Sequence, residues 1–110
     1  MISTSDEAVR MTIYIGEDKR HGDVSLCQAI IDKARRLNMA GATVYRGIEG
    51  FGRSTRLHTY ETLMSQDLPV VIEIIDTEHK AETFHQLLKQ VPEIALITFE
   101  PLAKVWFPGA

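Results

Sequence analysis

The first third of the chain changes from a two-residue to a helical period of apolar positions. From Val9 to Ile15 apolar and polar residues alternate, as in a strand with one buried face. From Leu26 to Leu37 apolar residues recur every three or four positions, and charged residues occupy the opposite face. Asp23 is placed to cap the start of this helix, and Gly41 to end it in a left-handed turn. The pattern predicts a strand followed by an amphipathic helix.

The rest of the chain predicts three more strands and a second helix. Residues 42–48 have the pattern of a second strand, and residues 68–76, LPVVIEIID, are almost continuously apolar, as in a central third strand. Residues 81–91 have a helical period and are followed by a proline. Residues 94–100, IALITFE, predict a fourth strand. The stretch LAKVWF, residues 102–107, has the composition of a short fifth strand.

This order of elements, βαββαβ with a strand-like C-terminal tail, predicts an α+β fold. In the ferredoxin-like sandwich two helices cover one face of a four-stranded antiparallel sheet. With 110 residues, the chain suits one domain, residues 1–110, which would bury about 60 to 70% of its unfolded surface. Residues 1–8 are expected to be flexible, and residues 50–67 to form a long loop.

The second face of the predicted sheet needs a cover. Residues 70–75 supply apolar side chains to both faces, and Trp106 and Phe107 add apolar surface. A large exposed apolar face is typical of an interaction surface, which predicts a homo-oligomer. The alternative is that the C-terminal tail folds back over its own sheet.

Composition narrows the class of protein. Hydrophobic residues make up 45% and charged residues 25%, as in ordinary globular domains. The net charge of −3 argues against a nucleic-acid binder, which usually has a basic surface. Cys27 is the single cysteine, so no internal disulfide forms. No apolar run reaches the roughly 18 residues of a membrane span, and the N-terminus lacks the pattern of a signal peptide. We expect a cytoplasmic protein without membrane insertion.

The connection between the second and third strands is unusually long. It runs over residues 49–67, whereas about two to five residues join most hairpins. Gly50 and Gly52 can adopt positive φ angles and expose successive amides to an anion. The alternative is that these glycines only shape the end of the hairpin.

Basic residues accompany these glycines. Arg46, Arg53 and Arg56 would add charged donors for a phosphate or carboxylate, and His58 shares the segment. Solvated arginines are the alternative. Glu73 stands in the apolar third strand and would need a partner if buried. It can bind a donor on a ligand or form a salt bridge, and the structural role is slightly favoured.

No catalytic or metal site is predicted. His21, His58, His79 and His85 do not have the spacing of a local metal site. Cys27 falls on the apolar face of the first helix, where a thiol normally packs as a small hydrophobe.

Two stretches carry a family resemblance. GATVYRGIEGFGRS, residues 41–54, followed by LPVVIEII, residues 68–75, resembles the PII-like signalling proteins, and in particular their branch called domain of unknown function 190. The resemblance implies a homotrimer that covers the second face of the sheet and binds nucleotides in clefts between subunits. It also implies a loop, residues 53–66, that engages a partner such as a membrane transporter or an enzyme.

The resemblance also implies roles for particular residues. The base of the loop, where the ligand would meet backbone amides and an arginine, corresponds to Gly50, Phe51, Gly52 and Arg53. Glu73 would lie beside the same cleft.

The chain departs from the PII pattern at three places. Ser54 stands where PII proteins have a glutamine that helps to hold magnesium and 2-oxoglutarate, so sensing of 2-oxoglutarate is not expected. QVPEIA, residues 90–95, replaces a loop rich in glycine and lysine, and KVWFPG, residues 104–109, leaves Lys104 in place of two arginines. With fewer charged donors, tight binding of a triphosphate is not expected either.

Together these observations predict a non-enzymatic regulatory protein that binds a small anionic ligand, with an adenine nucleotide of few phosphates as one candidate, and that requires no cofactor. Two alternatives remain open. One is a small enzyme of the acylphosphatase kind, which would use Lys19 and Arg20 after the first strand. The other is a metal-responsive trimer with His58 or His21 from each subunit.

Overall fold

The computed structural model describes residues 8–50, the backbone of residues 58–59, and residues 68–107. Its elements follow in chain order: β1 (Ala8–Gly16), β2 (Arg20–His21), β3 (Val24–Ser25), α1 (Leu26–Arg36), β4 (Ala42–Arg46), β5 (Glu49–Gly50), β6 (His58–Thr59), β7 (Pro69–Thr77), α2 (Glu78–Leu88) and β8 (Leu96–Pro101).

Four strands form one antiparallel sheet in the order β4-β7-β1-β8. The two central strands pair along their whole length, from Ala8 opposite Thr77 to Gly16 opposite Pro69. This is the strand order of a ferredoxin-like sandwich, so the predicted α+β fold class is confirmed. The observed bounds of the four main strands and two helices differ from the predicted ones by a few residues.

The core lies between the two helices and one face of the sheet, the helix-covered face. Its largest fully buried side chains come from β1, β7 and both helices: Met11, Ile13, Leu26, Ile30, Ile72, Ile74, Phe84 and Leu88. Each such side chain contributes about 1.5 to 3 kcal/mol through burial alone. The opposite face, here called the open face, carries no helix among the residues that the structure describes.

The start of α1 corrects one prediction. Ser25, not Asp23, caps the helix, because the hydroxyl of Ser25 accepts the N–H of Gln28 at 3.1 Å. Asp23 instead belongs to a hairpin of β2 and β3 that turns through Gly22, whose φ is +66°. The sequence GEDKRHGD, predicted as turn, therefore contains two short strands.

The end of α1 corrects another. Its cap is Leu37, and the left-handed residue is Asn38, with a φ of 55°. Asparagine tolerates this conformation better than most residues. Gly41 lies beyond the helix end and has no positive φ.

The C-terminal tail runs along the sheet after β8. The N–H of Leu102 donates to the carbonyl of Ala8 at 2.9 Å. Trp106 takes part in strand-like backbone pairing at a single isolated position. A full fifth strand is absent from residues 102–107. Part of the tail lies against its own sheet. The sequence analysis gave this arrangement as the alternative to a homo-oligomer. Neither α1 nor α2 is long and apolar enough to cross a bilayer, in the part of the chain that the structure describes.

Candidate functional site

The residues proposed from the sequence lie in two regions at different ends of β4 and β7. One is the loop root, defined as residues 46–50, 58–59 and 69. There the chain leaves β4 after Arg46, earlier than predicted, and forms β5. β5 pairs with β6, with Glu49 opposite Thr59 and Gly50 opposite His58. The long connection therefore begins as a second, smaller hairpin.

Two glycines of the loop root pack against Pro69. The N–H of Gly47 donates to the Pro69 carbonyl at 2.7 Å. A Cβ atom would come within 3.1 Å of the Pro69 Cγ at Gly47 and within 2.9 Å at Gly50. Gly50 is a strand residue without a positive φ, so the expectation that it turns a positive-φ corner is wrong. Its lack of a side chain serves the close approach to Pro69.

Arg46 has a local partner. Its guanidinium pairs with the carboxylate of Glu17. The register places Arg46 opposite Val70, which is buried under the helices, so Arg46 belongs to the helix-covered face. The remaining loop residues proposed from the sequence lie outside the described residues: Phe51, Gly52, Arg53, Ser54 and Arg56. For His58 only the backbone is described.

Glu73 lies on the open face between two neighbouring strands. It stands opposite Thr12 of β1 and Thr43 of β4. Its Oε2 is 3.7 Å from the Nε of Arg10, and the Nη1 of Arg10 donates to the Oε1 of Glu100 at 2.9 Å. The Nε of Arg10 is buried and donates no hydrogen bond within the described residues. Arg10 thus provides Glu73 with a charged neighbour, but at a distance too long for a hydrogen bond.

Glu73 and Arg46 are not brought together within one chain. Their side chains lie on opposite faces of the sheet. Arg46 stands opposite Val70 in the strand pairing, and Val70 precedes Glu73 by three residues along β7, which corresponds to about 10 Å. A ligand bound to Glu73 therefore does not meet the Arg46 side chain of the same chain.

Glu73 also lines a groove on the open face, which we call the tail groove. Its volume is about 440 Å³, within the range of about 300 to 1,000 Å³ that is usual for small-molecule sites. It is bounded by the start of β4, by β7 and by the tail: Ala40, Gly41, Ala42, Thr43, Glu73, Ile75, Val105, Trp106 and Phe107.

The groove combines a flat aromatic surface with hydrogen-bonding groups. Trp106 is 58% exposed, and an exposed indole ring can stack on a planar ligand. When ionised, the carboxylate of Glu73 accepts hydrogen bonds but donates none, whereas the hydroxyl of Thr43 can do both. The sequence analysis noted Trp106 only as apolar surface and did not single out Thr43. The contact of a distant tail with this strand has no local signal in the sequence.

Groups of three or more histidine, cysteine or acidic residues that could hold a metal are absent among residues 8–50 and 68–107. Cys27 is half-buried, and its burial raises the pKa of the thiol above its ordinary value. The ring of His85 packs edge-on against Phe99, with centroids 5.0 Å apart.

Solved structures of PII-like proteins share this fold. The chain is similar to CPII of Thiomonas intermedia K12, a structure bound to ADP and bicarbonate, with 14% identity, a TM-score of 0.66 and coverage of 96% of this chain and 91% of that one. It is also similar to a protein of Thermus thermophilus described as PII-like signalling, with 19% identity, a TM-score of 0.57 and coverage of 90% and 88%. At these identities the likeness concerns the fold.

Sequence comparison gives the family. The chain belongs to the family called domain of unknown function 190, described as "Uncharacterized ACR", whose model matches residues 8–103. It is 33% identical over 99 residues to a UPF0166 protein of Aquifex aeolicus (strain VF5), covering 89% of this chain and 96% of that relative. The family predicted from the GFGR and LPVVIEII stretches is confirmed.

Proposed function

We propose that this chain is a non-enzymatic PII-like regulatory protein of the cytoplasm. In the proposal it forms a homotrimer, binds an adenine nucleotide between subunits without needing a further cofactor, and acts on a partner protein, such as a membrane transporter or an enzyme, through residues 53–66. Residues 1–110 form one domain, and residues 50–67 its loop. The observation that carries the proposal is the tail groove, in which an exposed indole faces solvent beside a carboxylate.

The groove suits the base of a nucleotide better than its phosphates. Adenine is planar and carries an amino group, which can donate to the carboxylate of Glu73 or the hydroxyl of Thr43, while its ring stacks on Trp106. A phosphate in the same place would be repelled by Glu73. The similar protein CPII is bound to ADP, which supports a nucleotide as the ligand class.

The phosphates require donors that the groove lacks. Since Arg46 lies on the other face of its own sheet, the donors would come from the loop root of a second copy. The residues proposed for this part of the site are those of the sequence analysis: Arg46, Gly50, Phe51, Gly52, Arg53, Ser54, Arg56 and His58. Lys104, exposed on the tail next to the groove, is one further cation. This small number of donors favours a nucleotide with few phosphates.

The open face supports self-association. It carries exposed apolar side chains from three of its strands: Tyr14, Tyr45 and Leu96. A second copy would remove these side chains from water and would bring its loop root towards the tail groove. A ligand held by two copies would then bind one conformation of the loop more tightly than another. This difference in affinity is what a ligand needs in order to change the loop of residues 53–66.

The acylphosphatase alternative gains no support from its key residue. The guanidinium of Arg20 donates to the backbone carbonyl of Asp23 inside the β2–β3 hairpin. This contact holds the hairpin rather than presenting an open phosphate site.

Calorimetric titration with AMP, ADP, ATP, cyclic AMP and GDP tests the proposal. We expect ADP to bind with one site per subunit and GDP to bind more weakly, because guanine lacks the amino group of adenine at that ring position. Glu73→Gln should weaken ADP binding, whereas Glu93→Gln, an exposed glutamate outside the groove, should not. Arg53→Ala tests the phosphate side. Absence of heat for every nucleotide at millimolar concentration would refute the proposed ligand class.

A further inference from the structure

Asp76 is a buried carboxylate at the end of β7, outside the tail groove. It is 4% exposed, and aspartate is almost never buried without partners. Its Oδ2 accepts the N–H of Ala40 at 2.8 Å, and its Oδ1 accepts the N–H of Thr77 at 2.7 Å. The Nζ of Lys80, one helical turn later, lies 3.6 Å from Oδ2. The carboxylate therefore ties the β7–α2 junction to a residue far away along the chain.

Lys80 makes a second connection to the same segment. Its ammonium donates to the backbone carbonyl of Asn38, the residue with positive φ at the end of α1. The N–H of Met39 returns to α1 by donating to Ala34 at 3.0 Å. Beyond Met39, the next backbone donor of the segment, Ala40, is held by Asp76. Asp76 and Lys80 together form what we call the clamp.

The clamped segment is one wall of the tail groove. Ala40, Gly41 and Ala42 line it, and sheet pairing of this segment begins only at Ala42, opposite Ile74. Residues 40 and 41 therefore depend on the hydrogen bond to Asp76 rather than on the β-ladder for their position. Thr43, which also lines the groove, lies two residues beyond Gly41.

We propose that Asp76 and Lys80 are positioning residues that set the nucleotide affinity of the tail groove without touching the ligand. This inference rests on the proposed function. A loosened wall would have to be ordered again when the ligand binds, and that cost would appear as a weaker affinity.

Three variants test the clamp with ADP as the probe. Asp76→Asn replaces one carboxylate oxygen by a donor and removes the charge facing Lys80. Lys80→Met removes the ammonium, and Lys80→Arg keeps a cation that can donate to both partners. Lys89→Met makes the same change as Lys80→Met at an exposed position of the segment after α2. Ile30→Val loosens the core at α1, and Ile30 does not line the groove.

We expect the dissociation constant for ADP to rise about tenfold in Asp76→Asn, the effect of one lost hydrogen bond to a charged group. Lys80→Met should show a smaller rise that Lys80→Arg largely reverses. Lys89→Met and Ile30→Val should bind like the wild type, at a temperature where all variants are folded by circular dichroism. Wild-type affinity in both Asp76→Asn and Lys80→Met would overturn the inference.

A ligand-free measurement separates this inference from the proposed function. Hydrogen exchange of the Ala40 amide should become faster in Asp76→Asn and stay unchanged in Ile30→Val. If wild-type protein does not bind ADP, the proposed function fails. If exchange at Ala40 is the same in wild type and Asp76→Asn, the clamp itself is refuted.

Discussion

The two faces of β7 differ in what one chain provides for them. On the helix-covered face Val70, Ile72 and Ile74 are buried by α1 and α2. On the open face Val71, Glu73 and Ile75 are only half-buried, and tail residues 105–107 line a groove with Glu73 and Ile75. The described residues of one chain bury the first face, whereas they leave apolar side chains of the second face partly exposed to water.

The charges on the two faces show the same difference. Asp76, on the helix-covered face, has two backbone hydrogen bonds and a lysine. Glu73, on the open face, has one arginine at 3.7 Å and borders an open groove. A carboxylate with unused acceptor capacity beside a groove is suited to a ligand, whereas a fully bonded one is suited to holding the backbone.

A matched pair of substitutions on β7 should give the largest effect. Ile72→Ala removes a fully buried side chain and should lower the free energy of unfolding by about 2 to 5 kcal/mol. Ile75→Ala, on the open face, should cost less because its side chain is only half-buried in the monomer. Urea unfolding of both variants at one protein concentration, with the oligomeric state checked by light scattering, measures the difference. Equal losses would contradict the distinction between the faces.

A second pair concerns the loop root, at the start of β7. Gly50→Ala places a Cβ 2.9 Å from the Pro69 Cγ, and the resulting overpacking should destabilise the protein by about 1 to 3 kcal/mol. Gly41→Ala introduces a Cβ with no atom within 4 Å, so its melting temperature should stay close to that of the wild type. Equal melting temperatures in the two variants would show that Gly50 is not needed for the contact with Pro69.

Trp106 should affect binding rather than folding. Loss of a stacking partner costs about 1 to 3 kcal/mol for a base, so Trp106→Ala should raise the dissociation constant for ADP by about tenfold. Because the side chain is largely exposed, the unfolding midpoint should change little. Leu87→Ala, an exposed apolar residue on α2, is the control and should leave ADP binding unchanged. A wild-type affinity in Trp106→Ala would remove the indole from the site.

The main strands, the two helices and the family could be predicted from local patterns in the sequence. Alternation in β1, the helical period of both helices and the long apolar run of β7 follow from the burial of one or two faces, and the GFGR and LPVVIEII stretches indicated the family. Contacts between distant segments were not visible, because periodicity reports that a face is covered but not by which segment. The proximity of Arg10 to Glu73, and of the tail residue Trp106 to the groove that Thr43 lines, are examples.

The other differences between prediction and structure arise where a residue type suits more than one local role. Asp23 and Ser25 are both good helix caps, and only the hairpin of β2 and β3 decides between them. The glycines of the loop root resembled an anion-binding turn in composition. At Gly50 the approach of Pro69, from a segment well beyond the loop, gives the glycine a different role.

The smallest effect is expected at Cys27, on α1. Burial raises the pKa of this thiol, so less thiolate is present at pH 8 than in a free cysteine. Alkylation by iodoacetamide should therefore be slower in the folded protein than in urea, and its rate should rise as the pH increases towards the raised pKa. Equal rates in the folded and unfolded states would mean that the helix-covered side does not shield the thiol.

The fluorescence of Trp106 tests the central claim most directly, because it is the single tryptophan of the chain. Titration with ADP should change its emission in a saturable way, with the same dissociation constant as calorimetry, and Glu73→Gln should weaken both signals together. Calorimetric binding of ADP with unchanged tryptophan emission would place the ligand elsewhere and contradict the assignment of the tail groove.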